Sequence, residues 1–194
     1  MLRRSAGVLL GVLAWAGPAQ ATDQLPDLIQ IDGQQATLLA EPLSGPLDDP
    51  ATWKRFVAHA GSALGSCSAN WRGYRAHWRL DGQQLVLDRV VLGACNDAPP
   101  TLPLDVLFPG QAAPVPAVWV DGELLVALPA TATSAAHAPA PYVVLQLRRG
   151  QVVARQTLTE ERLRARHAAT AKPRPAHCGS RPPAPWSSPC PRPS

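Results

Sequence analysis

The chain has 194 residues, of which 18 are basic, 14 acidic, 46% apolar and 22 proline. The +4 charge sits at the two ends: Arg3 and Arg4 open the chain, residues 160–194 hold seven basic and two acidic residues, and residues 22–159 hold nine and twelve. A body with an acidic excess excludes a nucleic-acid footprint, and no run after the first twenty residues is apolar over the ~18 positions that a membrane-spanning helix needs.

The first 21 residues read as an export signal. Arg3 and Arg4 precede AGVLLGVLAWAG, an apolar run of twelve that is too short to span a bilayer, and Ala19, Gln20 and Ala21 form an A-x-A cleavage site. Cleavage is expected after Ala21. The sequence RRSAG lacks the apolar residues expected after a twin-arginine pair, so general secretion is favoured, and the mature chain is expected in the periplasm or the medium. No cysteine follows the cleavage site to take a lipid anchor.

From residue 22 to 159 the chain reads as a single exported domain built of β-hairpins. DLIQIDGQQATLLA turns at Asp32 and Gly33; WRGYRAHWRLDGQQLVLDRVVL at Asp81 and Gly82; PAVWVDGELLVAL at Asp121 and Gly122; YVVLQLRRGQVVARQTL at Arg149 and Gly150. A two-residue turn of this kind asks for positive φ, which glycine adopts without steric cost, and the flanks are rich in Val, Leu, Ile and Trp. The repeated DGQQ at 32–35 and 81–84 offers one carboxylate per copy, too few for a calcium loop, and reads as turn chemistry.

One helix interrupts the strands. In DDPATWKRFVAHAGSALG, Asp49 stands at the N-cap, Pro50 at the first helical position and Gly65 at the end. Trp53, Phe56, Val57, Ala60 and Leu64 form an apolar stripe expected to pack on a sheet face. Residues 129–141, PATATSAAHAPAP, read as a surface loop. After Leu158 a short helix is expected, then a basic tail in which eight of the last 22 residues are proline; such a segment buries too little to offset its ordering entropy and is predicted disordered. The expected fold is therefore mainly β: antiparallel hairpins in one small sheet, sandwich or open barrel, with one amphipathic helix at about 50–64 packed on it.

In the second hairpin Tyr74, Ala76, Trp78 and Leu80 share the face that points to the core, while Trp71, Gly73, Arg75, His77 and Arg79 share the other. A turn at 81–82 sets Arg75 opposite Asp88 and leaves Tyr74 opposite Arg89, a flaw that stacking or a bulge in the outer half of the ladder would repair. The same register brings Cys95 next to Cys67. Four cysteines in an exported chain read as disulfides, and this register favours pairs 67–95 and 178–190 over the other two connectivities. No C-x-x-C or finger-like Cys/His array suggests a metal.

The order LIQIDGQQATL, then WRGYRAHW with a short L-x-L-x-x-V strand, then VWVDGEL and YVVLQLRRGQVV, resembles a family of uncharacterised exported bacterial proteins with a W-x-G-Y-x-x-x-W strand. The resemblance covers about residues 27–160. It implies one compact exported domain, and no activity or functional residue comes with it.

No catalytic constellation is legible. There is no G-x-S-x-G elbow, no H-E-x-x-H, and no glycine loop for phosphate; the five histidines are scattered, and Asp88, Asp105, Asp121 and Glu123 are the carboxylates available to a glycosidase-like pair. No cofactor is expected. The leading expectation is a non-enzymatic module that binds a protein of the bacterial envelope or outside it. The alternative is a binder of a glycan or anionic envelope polymer, using Trp71, Arg72, Arg75, His77 and Arg79, with the basic tail as a possible tether. A third reading is a small hydrolase with a dispersed site at His59, His77 and Asp88.

Overall fold

The structure is a computed structural model that describes residues 24–64, 68–93, 95, 97–129 and 141–170. The expected export signal, the 129–141 loop apart from its two end residues, the Pro-rich tail, and Cys67, Cys178 and Cys190 lie outside the described residues.

The chain order is β1 (Asp27–Ile31), β2 (Gln34–Leu38), α1 (Ser44–Asp48), α2 (Pro50–Ala60), β3 (Tyr74–Asp81), β4 (Gln84–Leu92), β5 (Thr101–Leu102), α3 (Leu104–Leu107), β6 (Val115–Pro116), β7 (Gly122–Ala127), β8 (Tyr142–Arg148), β9 (Gln151–Leu158) and α4 (Glu160–Thr170). Seven strands close on themselves in the order β3-β1-β2-β7-β8-β9-β4, with β3 paired back to β4; β5 and β6 hang on β4. The result is mainly β and barrel-like. Every pairing is antiparallel except β1 with β3. The interior holds Ile29, Ile31, Leu38, Trp78, Leu85, Leu87, Val126 and Leu145, with Phe56 of α2 plugging one side.

Three of the four expected hairpins form: β1–β2, β3–β4 and β8–β9. The third does not. Val118 N–H donates to Pro116 O and Val120 N–H to Ala117 O, so residues 116–120 coil into turns, while β7 pairs with β2 and β8 instead. The competing interactions are tertiary. Trp119 donates from Nε1 to Pro42 O and stacks on Phe108 at 4.7 Å, and Asp121 Oδ1 accepts from Arg149 N–H across the β8–β9 turn.

The two DGQQ copies turn differently. In the first, Ile31 pairs with Gln34, so Asp32 and Gly33 are the turn residues, both at positive φ. In the second, Asp81 pairs with Gln84 and the turn moves on to Gly82 and Gln83. Because β1 and β3 run parallel, both tips lie at the same end of the barrel, and both meet β9. Arg155 grips the Asp32 carboxylate with two hydrogen bonds, Nη1–Oδ1 being 2.9 Å. Gln83 O accepts from Val152 N–H, and Gln84 Nε2 donates to Gly150 O. These contacts strengthen a seam where β4 and β9 share a single ladder pair, Gln84 with Gln151.

Helix α2 begins as expected, with Asp49 accepting from Thr52 N–H at 2.8 Å, but it ends at Gly61 rather than Gly65. Its buried side also differs from the expected stripe. Thr52, Phe56 and Ala60 are buried, whereas Trp53 is 46% exposed and Val57 37%. Phe56 makes an edge contact with Tyr74, and Arg55 reaches Val106 O, which together set the rotation of the helix. Helix α4 follows β9, and its Leu163 packs on Val144 and Leu158 outside the barrel.

Candidate functional site

The W-R-G-Y strand faces the core as expected: Tyr74, Ala76 and Trp78 are buried. Its register does not follow the expectation. Leu80 pairs with Leu85 and Trp78 with Leu87, but His77 pairs with Arg89 and Tyr74 with Leu92. Between those halves β4 contributes one residue more than β3, namely Asp88, which is a β-bulge. The turn at Gly82 and Gln83 already moves Tyr74 away from Arg89, and the bulge sets Val90 rather than Arg89 opposite the buried Ala76. The bulge also turns two consecutive residues, Asp88 and Arg89, to the outside of a strand whose neighbours Leu87 and Val90 are buried.

The five residues expected to hold a ligand do not form one surface. Trp71 is 71% exposed and precedes the strand, its backbone N–H held by Gln24 Oε1 at 3.0 Å. Gly73 admits close packing, since a Cβ there would meet Leu64 Cδ2 at 2.3 Å. Arg72 is a structural residue: its side chain is 7% exposed and lies 3.2 Å from the fully buried Asp27 carboxylate, 3.5 Å from Glu41, and over the Tyr74 ring. Burial drives the Asp27 carboxyl above its ordinary value, opposed by the Arg72 charge and by hydrogen bonds from Trp78 Nε1 and Ala76 N–H. Burial likewise pushes the Tyr74 phenol up to about 12. Arg79 is matched by Asp88 and Asp81 at 3.3 and 3.5 Å, so the expected Arg75–Asp88 pair is replaced by Arg79–Asp88.

Arg75 and His77 do come together, with a residue the sequence reading left out. Arg75 Nε donates to Pro26 O at 2.8 Å, and Arg89 Nη2 lies 3.4 Å from His77 Nδ1. Arg75, His77 and Arg89 share a groove of about 420 Å³ with Asp97, Pro99 and Thr101. Among the described residues neither Arg75 nor Arg89 has an acidic side chain within ion-pair distance. The His77 imidazolium is pushed down to about 4, first by burial and then by the Arg89 and Arg75 charges. One signal in the sequence pointed to Arg89: two adjacent charges inside the apolar run LVLDRVVL cannot both alternate outward without a bulge.

A second feature is an open strand edge. Strand β9 pairs with β8 along its length, but its other side meets β4 only at Gln151, so residues 153–157 have no strand partner on that side among the described residues. Val153 is the extra residue of a bulge there and is 57% exposed. The edge borders a cavity of about 320 Å³ lined by Leu80, Gly82 and Gln83.

The carboxylates named for a hydrolase are dispersed in other duties. Asp88 pairs with Arg79, Asp121 holds Arg149 N–H, Glu123 pairs with Arg166, and Asp105 sits in the first turn of α3. Among the described residues no three His, Cys, Asp or Glu are placed to hold a metal ion, and no helix is long and apolar enough to cross a membrane. Comparisons with protein-family models, with the curated proteins and with the solved structures return no match to this chain.

Proposed function

We propose that the protein is an exported, non-enzymatic β-barrel module that acts by binding an extended segment of a protein in the bacterial envelope or outside it. The observation that carries this reading is the edge of β9 at residues 153–157, which has no strand partner among the described residues. An exposed edge offers a row of backbone donors and acceptors, and adding a strand to it satisfies them while neighbouring recesses read alternate side chains. The recess beside Leu80 and Gly82 supplies such a reader. The bulge at Val153 discourages edge-to-edge pairing between copies, which favours a distinct partner. The likeness to exported proteins with a W-x-G-Y-x-x-x-W strand, the leader and the disulfides belong to the same reading.

A photo-cross-linking residue at Val153 or Gln156 in the tagged full chain, expressed in its native host, tests this reading. The expected result is one envelope protein whose cross-link maps to an extended segment against β9, lost in Val153→Lys with Thr157→Pro. A partner that cross-links only elsewhere, or one retained by that double variant, overturns it. The alternative reading, a binder of a glycan or anionic polymer, is favoured by one observation: the unmatched Arg75 and Arg89 beside His77.

A further inference from the structure

We propose that the outer groove between β3, β4 and β5 is a subsite for a sugar acid, with Arg75 and Arg89 gripping the carboxylate and Asp97 and Thr101 accepting or donating to the ring hydroxyls. The groove lies on a face that shares no lining residue with the β9 edge, so this inference stands apart from the reading of that edge.

The argument begins with which arginines are spare. Of the four on β3, on β4 and just before them, Arg72 is matched by Asp27 and Arg79 by Asp88 and Asp81. Arg75 and Arg89 are not matched among the described residues, yet both line one cavity. Arg75 is also held in place: its Nε is committed to Pro26 O, which leaves the two terminal nitrogens as a fork of the geometry that suits a carboxylate. The Asp88 bulge brings Arg89 to the same side, and His77 Nδ1 lies against Arg89 Nη2.

The remaining lining selects among anions. Asp97 stands in the groove with the two arginines, so the net charge there is about one positive, with His77 neutral. A phosphate dianion would be repelled by Asp97, whereas a singly charged carboxylate is matched. Asp97 accepts from a hydroxyl and Thr101 offers both a donor and an acceptor, which a polyhydroxylated ligand satisfies and a simple fatty acid does not. Pro99, Ala98 and the edge of Val91 give an apolar strip for the C–H face of a sugar ring. A groove of about 420 Å³ falls within the usual range of small-ligand sites. The His77 basicity is depressed first by burial and then by the Arg89 and Arg75 charges, with Asp88 opposing them, and a bound anion would relieve the part that the charges contribute.

The test titrates the full chain with galacturonate, galactose and inorganic phosphate, following the His77 ring resonances and the heat of binding. The expected result is that galacturonate binds and raises the His77 pKa, galactose does not bind, and phosphate binds at least tenfold more weakly. Arg89→Ala, on an exposed side chain, and Arg75→Ala should each weaken galacturonate binding tenfold or more. Equal binding of galactose, tighter binding of phosphate, or affinity unchanged in both variants overturns the proposal. Oligogalacturonate separates the two sources of this chemistry: tighter binding than the monomer assigns the subsite to a polymer, and equal binding assigns it to a free sugar acid.

Discussion

Arg72 and Asp27 close the one parallel seam of the barrel, with Nη2 of the arginine 3.2 Å from Oδ1 of a carboxylate that has no exposed surface. The same Asp27 carboxylate receives Ala76 N–H at 3.1 Å and Trp78 Nε1 at 3.1 Å, so a single side chain at the start of β1 fixes three points of β3 and the turn before it. A parallel pair has no hairpin to set its register, and this buried charge does that work. Breaking a buried pair on one side leaves the other charge uncompensated. Arg72→Met should therefore cost about 3–5 kcal/mol in denaturant unfolding, and Arg72→Met with Asp27→Asn should recover much of it. The pH dependence carries a sign. The folded state holds the Asp27 proton more tightly than the unfolded state, whose value is 3.8, so this group's contribution is fully present below 3.8 and is lost as pH rises through its raised folded value. A stability–pH profile unchanged by the Asn variant would refute the assignment.

His77 gives the opposite slope. Its folded pKa is about 4 against 6.5 unfolded, so the unfolded chain binds the extra proton between those values. Stability linked to His77 should rise from pH 4 to 6.5 and fall on acidification through the same window. Chemical denaturation across that range should lose this component in His77→Gln.

Gly150 is irreplaceable for two reasons at once. Its φ is 74°, and a Cβ there would lie 2.5 Å from Ala117 O, a backbone atom that cannot swing aside. Gly33 has φ 76° but open space around the missing Cβ. Gly33→Ala should cost about 1 kcal/mol of conformational strain, and Gly150→Ala clearly more. Equal midpoints for the two variants would contradict the close approach of the 117–121 turn.

The rotation of α2 separates two aromatic neighbours. Phe56→Ala opens the core and should cost about 3–5 kcal/mol, whereas Trp53→Ala, on a half-exposed ring, should cost far less. Comparable losses would mean that the helix sits as the Trp–Phe stripe alone suggests.

The expected register set Cys95 opposite residue 68, whereas the observed ladder, continued, sets it opposite residue 71, so the 67–95 pair is a proposal that strand register alone does not carry. Tyr74 pairs with Leu92, Gly93 N–H donates to Gly73 O, and Asn70 Nδ2 donates to Gly93 O, which draws the chain before β3 toward Cys95. A 67–95 bond closing about 29 residues should stabilise the chain by about 3.5 kcal/mol. Peptide mapping of the non-reduced full chain should recover residues 67 and 95 in one linked pair. Alkylation of both without prior reduction would rule the pair out.

Much of the fold was legible because it is local. Asp32-Gly33 and Arg149-Gly150 form two-residue turns with positive φ because those residues tolerate it, and period-two alternation sorted Tyr74, Ala76 and Trp78 from Arg75, His77 and Arg79. The Asp49 cap and Pro50 start of α2 needed only their own neighbours. The third hairpin failed for the complementary reason. VWVDGELL has the local chemistry of a hairpin, but Trp119 and Asp121 gain more from Pro42, Phe108 and Arg149 than from each other's strands. The candidate site was half legible. Arg75 and His77 were found by alternation, Arg72 and Arg79 were misassigned because their partners Asp27 and Asp88 are set by register, and Arg89 was missed because a bulge reverses its expected face.

What the sequence determined by itself is the material of a β protein: turns, alternating faces, a capped helix, and charges divided between body and ends. These depend on φ, on side-chain period and on composition, all of which act within a few residues. Only the tertiary structure decided that β1 lies parallel to β3, that both DGQQ tips converge on β9, and that Arg75 and Arg89 share one groove with no acidic side chain at ion-pair distance among the described residues. Those outcomes depend on which distant groups meet, and the free energy of burying Asp27 with Arg72, or of closing a seven-stranded ring, is shared among segments that carry no sign of one another until they touch.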